Sequence, residues 1–194
     1  GEEILSLEEI VEAFSLSGLS RNAPTHSRKK LEWINSHYIR KTDKDRLTQY
    51  LLPYLEKGGI AVNQLDEKYL TQICVLLKEN LSILSQVEEY LGIFFDEKFF
   101  LEEEAKAILV ASQNREALQT VLKVLEGLTE MEGDSGSSLL AQLEEKTGRK
   151  GKSLYGLLRA GITGKMKGPE LVKILPLLGK ERMIKRLKMA LEIS

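Results

Sequence analysis

Apolar residues recur along most of this sequence at helical spacing, and this pattern restricts the fold more than any other feature. The clearest stripe is formed by Leu118, Val121, Leu122, Leu125 and Leu128, which would share one face of a helix. Only four of the 194 residues are proline, and runs of β-branched residues are few. The sequence therefore predicts an all-α protein.

Composition excludes several classes of protein. Hydrophobic residues make up 42% and charged residues 29% of the chain, which is typical of a globular protein and not of a disordered one. No apolar run approaches the ~18 residues that indicate a membrane span. With one cysteine, Cys74, and two histidines, His26 and His37, we expect neither an intramolecular disulfide nor a metal site. The predicted compartment is the cytoplasm, or another reducing one.

Charge is distributed unevenly along the chain. The segment from Lys146 to Lys188 holds thirteen Lys or Arg and two acids, Glu170 and Glu181, which is a formal charge of +11. The remaining residues carry 15 basic and 27 acidic side chains, a formal charge of −12. A basic segment on an acidic chain is typical of a protein that binds a phosphate-rich partner such as nucleic acid. A solvated pair of cationic helices would give the same charge, so more specific sequence motifs are needed to distinguish the two interpretations.

Three motifs in the basic segment are more specific than its charge. They read LRAGITG from Leu158, GPEL from Gly168 and LLGKER from Leu177. Their order and spacing resemble the C-terminal anticodon-binding region of bacterial-type glutamyl-tRNA synthetases, where an LRxALTG turn, a GPxL helix start and an LLGKERxxxRL helix recur. A fourth motif, KLEWINSHYIR from Lys30 to Arg40, is similar to the KLxWxNxxYIR helix of the stem-contact region in that family.

The resemblance implies three parts. Residues 1–41 would be the end of the stem-contact region, and residues 42–95 and 96–194 would be two helical subdomains of the anticodon-binding region. Gly1 is followed at once by helix-like sequence with no initiating methionine, which indicates a piece of a longer protein. Full-length enzymes of this family are ligases that join glutamate to tRNA with ATP and Mg²⁺. The His-Ile-Gly-His active-site signature is absent here, so catalytic residues and cofactors are expected outside this chain.

The partner that the resemblance implies is glutamate tRNA, bound by a monomer. The arginine of the family's LRxALTG turn contacts an anticodon base, and Arg159 occupies that position here. A guanidinium offers a planar fork of donors and a stacking face, which suit an unpaired loop base. By the same resemblance Thr163, Gly168, Pro169 and Leu171 flank the base pocket. Alternatively, the Thr163 hydroxyl would cap a helix and the Leu171 side chain would belong to the hydrophobic core.

Asn80 stands where many members of the family carry an arginine that checks the third anticodon base. An asparagine side chain can hydrogen-bond to a base edge, but it lacks the charge and the reach of arginine. A non-discriminating enzyme that also accepts glutamine tRNA is therefore a second interpretation. Six cations are expected to contact backbone phosphates: Lys146, Arg149, Lys150, Lys152, Lys165 and Lys180.

A function of another class also fits the charge. The basic C-terminal surface could dock an acidic partner, which would make the chain a helical protein-interaction module. The two functions differ at Arg159, because its loss would impair base discrimination in the first case and protein binding in the second. The acidic stretch 96–104 would repel phosphate and is expected to point away from RNA. No catalytic constellation supports a free-standing enzyme.

Some local features carry expectations of their own. Pro53 lies inside a helical pattern and should kink or restart that helix. The sequence GDSGS at 133–137 predicts a surface loop. Trp33, Tyr38 and Ile39 are predicted to be packing residues of the helix that carries the KLEWINSHYIR motif.

Overall fold

A computed structural model describes residues 4–18, 27–129 and 135–193. These residues form ten α-helices and no strand, which confirms the predicted all-α fold. In chain order the helices are α1 (Leu7–Ala13), α2 (Arg28–Lys41), α3 (Lys44–Lys57), α4 (Glu67–Leu77), α5 (Leu91–Phe94), α6 (Glu103–Leu109), α7 (Ser112–Gly127), α8 (Ser135–Thr147), α9 (Lys152–Leu158) and α10 (Leu171–Ile193). No helix among these residues is long and apolar enough to cross a membrane.

Polar caps in the local sequence explain where several helices begin. Ser6 and Glu9 form a capping box at the start of α1, with the hydroxyl and the carboxylate each accepting a backbone N–H. Asp43 accepts a hydrogen bond from the Asp45 amide at 2.9 Å, and α3 begins at the next residue. Asp66 does the same for α4 through the amide of Tyr69 at 2.8 Å. These starts therefore depend on neighbours in sequence.

One hydrophobic core runs through both predicted subdomains. Leu51 and Leu77 from the first part and Leu118 and Leu187 from the second are all fully buried in the same cluster. Helix α10 packs along α7 and α8 and also reaches α4. The division at residues 95 and 96 remains a prediction, and the core is continuous across it.

Helix α10 is interrupted in its backbone at Gly179. Its φ of 72° and ψ of 161° lie outside the helical region, and positive φ is a conformation that glycine adopts without steric cost. The break divides the element into residues 171–178 and 180–193. The two parts can therefore take separate directions and serve different regions of the molecule.

The structure bears on two local predictions. Helix α3 continues through Pro53, so the predicted restart is wrong, while a kink at this residue stays a prediction. The carbonyl that this proline leaves without a helical partner belongs to the exposed Gln49. Helix α8 begins at Ser135, so residues 135–137 are helical and not a loop, while 133–134 lie outside the described residues. Gly136 is buried, and an added Cβ would stand 2.0 Å from the carbonyl oxygen of Val172. This glycine therefore permits α8 and α10 to approach each other closely.

The N-terminal helices contribute little to the core. Helix α1 has no buried residue. Helix α2 packs through Ser36 and Ile39, so the packing prediction is confirmed for Ile39. It is wrong for Trp33 and Tyr38 in this chain, since they are 45% and 49% exposed.

Candidate nucleic-acid interface

Arg159 lies on a single π-helical turn, Arg159–Thr163, which directly follows α9. Its Nη2 donates a hydrogen bond to the carbonyl of Gly168 at 3.3 Å and another to the carbonyl of Pro169. Its Nη1 is buried and has no hydrogen-bond partner among the described residues. Burial lowers the pKa of the Arg159 guanidinium, and no carboxylate forms an ion pair with it there. The side chain thus retains unused donor capacity, which is costly inside a protein.

A pocket of about 440 Å³ lies beside Arg159. Leu171 forms part of its wall, and the exposed Tyr155 and the acidic residues Glu144 and Glu170 also line it. The Glu170 carboxylate pairs with Lys173 at 3.0 Å. The pocket therefore combines donors from arginine, acceptors from two acids and an aromatic face. Unpaired bases are recognised in RNA by this combination of edge hydrogen bonds and stacking. The sequence interpretation did not single out Glu144 or Tyr155, since neither belongs to a motif.

The predicted flanking residues take different positions around Arg159. An added Cβ at Gly168 would lie 3.4 Å from the Nη1 of Arg159 and 3.2 Å from Ile93, so only glycine leaves this space open. Pro169 is buried and presents its carbonyl to Arg159. Leu171 is buried at the start of α10 and lines the pocket as well.

Thr163 is almost fully buried within the turn. Its hydroxyl lies 2.8 Å from the carbonyl of Arg159, to which it donates, and it accepts from the amide of Lys165 at 3.3 Å. These contacts match the capping interpretation of the residue. The hydroxyl closes the turn that carries Arg159, and base contact by Thr163 stays a prediction.

A second cavity extends from the Arg159 pocket towards Asn80. It has a volume of about 1150 Å³ and lies between α4 and α10. Ser137 and Val172 line both cavities, and Lys78 and Glu79 line the far end of the second. Asn80 follows directly, is half-buried and makes no hydrogen bond through its side chain to any described residue. The second cavity therefore reaches the two residues that precede Asn80, and base contact by Asn80 stays a prediction.

The structure separates the six predicted phosphate ligands into two groups. Lys146, Lys150 and Lys152 are exposed and have no ion-pair or hydrogen-bond partner in the described part of the chain. Lys146 lies near the end of α8, Lys152 begins α9, and Lys150 lies in the short segment between these two helices, both of which line the Arg159 pocket.

The other three predicted phosphate ligands form hydrogen bonds or ion pairs with other residues of the protein. Arg149 donates to the side chain of Asn114 and to a backbone carbonyl. Lys165 pairs with Glu102 and is 12% exposed. Lys180 donates to the carbonyls of two residues that end α7 or follow it. These internal partners distinguish the three cations from the exposed lysines, and phosphate contact by all six stays a prediction.

The sequence interpretation missed an arginine near this site that forms several hydrogen bonds within the protein. Arg186 is 1% exposed and donates to the carbonyls of Ile93 at 2.7 Å and Ile162 at 2.8 Å. It also pairs with Asp96 at 2.9 Å. Helical spacing could have indicated its burial, because Arg186 follows the buried Met183 by three residues and precedes the buried Ala190 by four. Its charge favoured a surface position instead.

Comparison with known proteins adds to this geometry. Residues 46–191 match the family described as the anticodon binding domain. The chain is 35% identical over its whole length to glutamate–tRNA ligase 2 of Syntrophus aciditrophicus, of which it covers 40%. It is 33% identical over 190 residues to the glutamate–tRNA ligase of Bacillus subtilis, of which it covers 39%. The chain therefore spans about two fifths of the length of these relatives.

Solved structures support the same fold. A crystal structure of the glutamate–tRNA ligase from Elizabethkingia meningosepticum has a TM-score of 0.79 at 20% identity, over 98% of this chain and 37% of that one. The glutamate–tRNA synthetase of Elizabethkingia anophelis gives a TM-score of 0.75 over the same share. Because the family match covers α4 to α10 and most of α3, which include the pocket beside Arg159, the chain belongs to the anticodon-binding domain family.

Proposed function

We propose that this chain is the tRNA-recognition part of a glutamyl-tRNA synthetase and binds the anticodon stem-loop of glutamate-accepting tRNA. The observation that carries the proposal is the buried, unpartnered Nη1 of Arg159 beside a pocket with acceptors and an aromatic face. The match of residues 46–191 to the anticodon binding domain supports it, as do the glutamate–tRNA ligases among the relatives.

Base reading in this proposal takes place at the Arg159 pocket. The Arg159 guanidinium donates to an acceptor on one anticodon base, which supplies the partner that Nη1 lacks within the protein. Tyr155 offers a ring for stacking, and Glu144 or Glu170 accepts from an amino group on the base edge. Gly168, Pro169 and Leu171 shape the pocket, while Thr163 holds the turn closed.

Phosphate contacts are assigned to Lys146, Lys150 and Lys152. Their ammonium groups are exposed and unpaired within the described residues, so no internal contact is lost when they approach RNA. Lysine contacts to phosphate raise affinity for any sequence and weaken as salt increases. Base discrimination and salt-dependent affinity should therefore depend on different residues of this chain.

The cavity between α4 and α10 provides a path for the next bases towards Asn80. Its amide makes no hydrogen bond within the described part of the chain and would be available to a base edge. A single amide reads such an edge less strongly than an arginine fork, so we propose a relaxed requirement at the third anticodon base. Glutamine tRNA would then be a second partner of the enzyme.

The remaining parts of the proposal concern the longer protein. Ligation of glutamate with ATP and Mg²⁺ would take place outside this chain, in a cytoplasmic enzyme that acts as a monomer. No group of three or more His, Cys, Asp or Glu side chains in the described ranges could hold a metal ion.

Fluorescence anisotropy with a glutamate tRNA anticodon stem-loop tests the proposal. The protein should prefer this loop over loops altered at one anticodon base, and Arg159→Ala should remove the preference at one position. Arg28→Ala is the matched control, because it removes the same charge from an exposed arginine on α2 that pairs with Glu32. Binding that ignores the anticodon and vanishes at higher salt would contradict the proposal and favour a protein-docking surface.

A further inference from the structure

Arg186 joins three segments that are distant in sequence. Its Nη1 donates both to Ile93 at the end of α5 and to Ile162 in the turn that carries Arg159. Its Nε and Nη2 donate to Asp96 Oδ1 at 3.2 and 2.9 Å, and its guanidinium stacks 4.2 Å from the centre of the Phe99 ring. The described structure contains no other arginine with so little exposure. A buried charge with this many partners holds the bonded groups at fixed separations.

Further contacts hold the turn that carries Arg159 against the segments that Arg186 joins. The amide of Glu102 donates to the carbonyl of Gly164 at 2.9 Å. An added Cβ at Gly164 would lie 2.2 Å from the carbonyl oxygen of Phe100, and one at Gly161 would lie 3.0 Å from Leu187. The turn therefore lies directly on the 93–102 segment and on the second part of α10, with Arg186 at the centre of the contact.

Ile93 also lies close to Gly168, a residue that accepts a hydrogen bond from Arg159. Its Cδ1 lies 3.2 Å from the position of a Cβ on Gly168, whose carbonyl accepts from Arg159. Arg186 thus bonds to the residue that supports Gly168 and to the residue three positions after Arg159. If the carbonyl of Ile93 moved relative to the carbonyl of Ile162, the direction of the Arg159 guanidinium would change.

We infer that Arg186 is a positioning residue for anticodon reading: it fixes the Arg159 turn against the 93–102 segment and so sets the geometry of base discrimination. This inference rests on the proposed function. It assigns specificity to a side chain that has almost no access to RNA. The relevant quantity is the ratio of affinities for the glutamate anticodon loop and for a loop altered at the base that Arg159 reads.

The test uses Arg186→Lys, Arg186→Met and Asp96→Asn in the protein of this sequence, at a temperature where circular dichroism shows every variant folded. We expect Arg186→Met to reduce the affinity ratio about tenfold. Arg186→Lys should restore part of it, because an ammonium group keeps the charge but not the planar fork. The slope of affinity against salt should stay unchanged in all three variants. The matched control is Leu51→Ala, which creates a cavity in the fully buried core of α3.

A purely structural role for Arg186 would lower the melting temperature without changing the affinity ratio, as Leu51→Ala should do. An unchanged ratio in Arg186→Met, in a protein whose ratio falls with Arg159→Ala, would overturn the inference and leave the proposed function intact. If the unsubstituted protein shows no anticodon preference, the proposed function fails and specificity control by Arg186 fails with it.

Hydrogen exchange provides a readout without RNA. Amides of the Arg159–Thr163 turn should exchange faster in Arg186→Met than in Leu51→Ala, while those of α7 should exchange equally in both variants. Equal protection of the turn in the two variants would overturn the positioning role even if the affinity ratio fell.

Discussion

Two arginines in neighbouring regions of the described structure, the half-buried Arg159 and the buried Arg186, differ in how many of their donors have partners. Arg186 has a carboxylate, two carbonyls and an aromatic ring as partners. Arg159 has two carbonyls as partners of Nη2, and its Nη1 has no partner among the described residues. Burial lowers the pKa of both guanidinium groups, but only Arg186 has a nearby carboxylate that opposes this shift. The difference indicates that Arg186 stabilises the fold, while Arg159 keeps a buried donor that has no partner among the described residues.

The lysines of the basic segment show the same contrast at the surface. Lys146, Lys150 and Lys152 have no partner in the described structure, whereas Lys185 pairs with Asp96 and Lys188 with Glu126 at 3.0 Å each. The acidic stretch expected to point away from RNA therefore neutralises part of the basic helix α10. A cluster of like charges in a sequence does not define one surface.

The largest expected effect on stability is that of Arg186→Met. It leaves two buried carbonyls without donors and removes one cation from Asp96, so the free energy of unfolding should fall by about 3 kcal/mol. Urea unfolding followed by circular dichroism measures this. Arg186→Lys serves as the conservative control, with a smaller loss. If Arg186→Met left the free energy of unfolding unchanged, it would contradict the conclusion that Arg186 stabilises the fold.

Asp96→Asn should cost less, about 1 kcal/mol, because Asp96 is partly exposed and water can replace some of its contacts. Burial by itself raises the pKa of Asp96, but hydrogen bonds from Lys185 and Arg186 and the charges of Arg186 and Arg182 hold that pKa below its ordinary value. A carboxyl group with a lowered folded-state pKa stabilises the fold above the unfolded pKa of about 4, and this stabilisation is lost as the pH falls through the folded value.

The stability difference between the natural sequence and Asp96→Asn should therefore be complete near neutral pH and shrink below about pH 4. Urea unfolding of both proteins across this range measures the difference directly. A difference that stays constant down to the lowest pH would show that the charge of Asp96 is not what stabilises the junction.

Arg159→Ala should lower the free energy of unfolding by no more than about 1 kcal/mol, which is less than the loss expected for Arg186→Met and no greater than that for Asp96→Asn. The lost hydrogen bonds from Nη2 are offset in part by removal of a buried donor that has no acceptor. Thermal unfolding of the two arginine variants side by side gives the comparison. An Arg159→Ala loss as large as that of Arg186→Met would mean that Arg159 also serves mainly to stabilise the fold.

The smallest stability effect is expected for Lys150→Gln, within about 0.5 kcal/mol, because the side chain is exposed and unpaired within the described residues. Its effect should appear in RNA binding, where the slope of log affinity against log salt falls by about 0.7 to 0.9. Lys185→Gln is the matched control, since its ammonium group already pairs with Asp96. Equal changes of slope in the two variants would contradict the separation of free and paired cations.

Arg159 was selected as a candidate through the resemblance of its motif to a known family, whereas the sequence by itself determined the all-α fold and the capped starts of α1, α3 and α4. These features depend on residues within a few positions of one another, such as Ser6 with Glu9 or Asp66 with Tyr69. Helical periodicity and capping act over that range, so they can be read directly from neighbouring letters.

Only the tertiary structure decided which cations have no partner among the described residues and which arginine bonds to the turn that carries Arg159. Arg186 and Asp96 are 90 residues apart in sequence, and Lys165 and Glu102 are 63 apart. Gly136 similarly owes its role to a backbone that approaches from α10. Ion pairs and close packing depend on distance in space, and that distance is set by how the helices pack and not by their order in the chain.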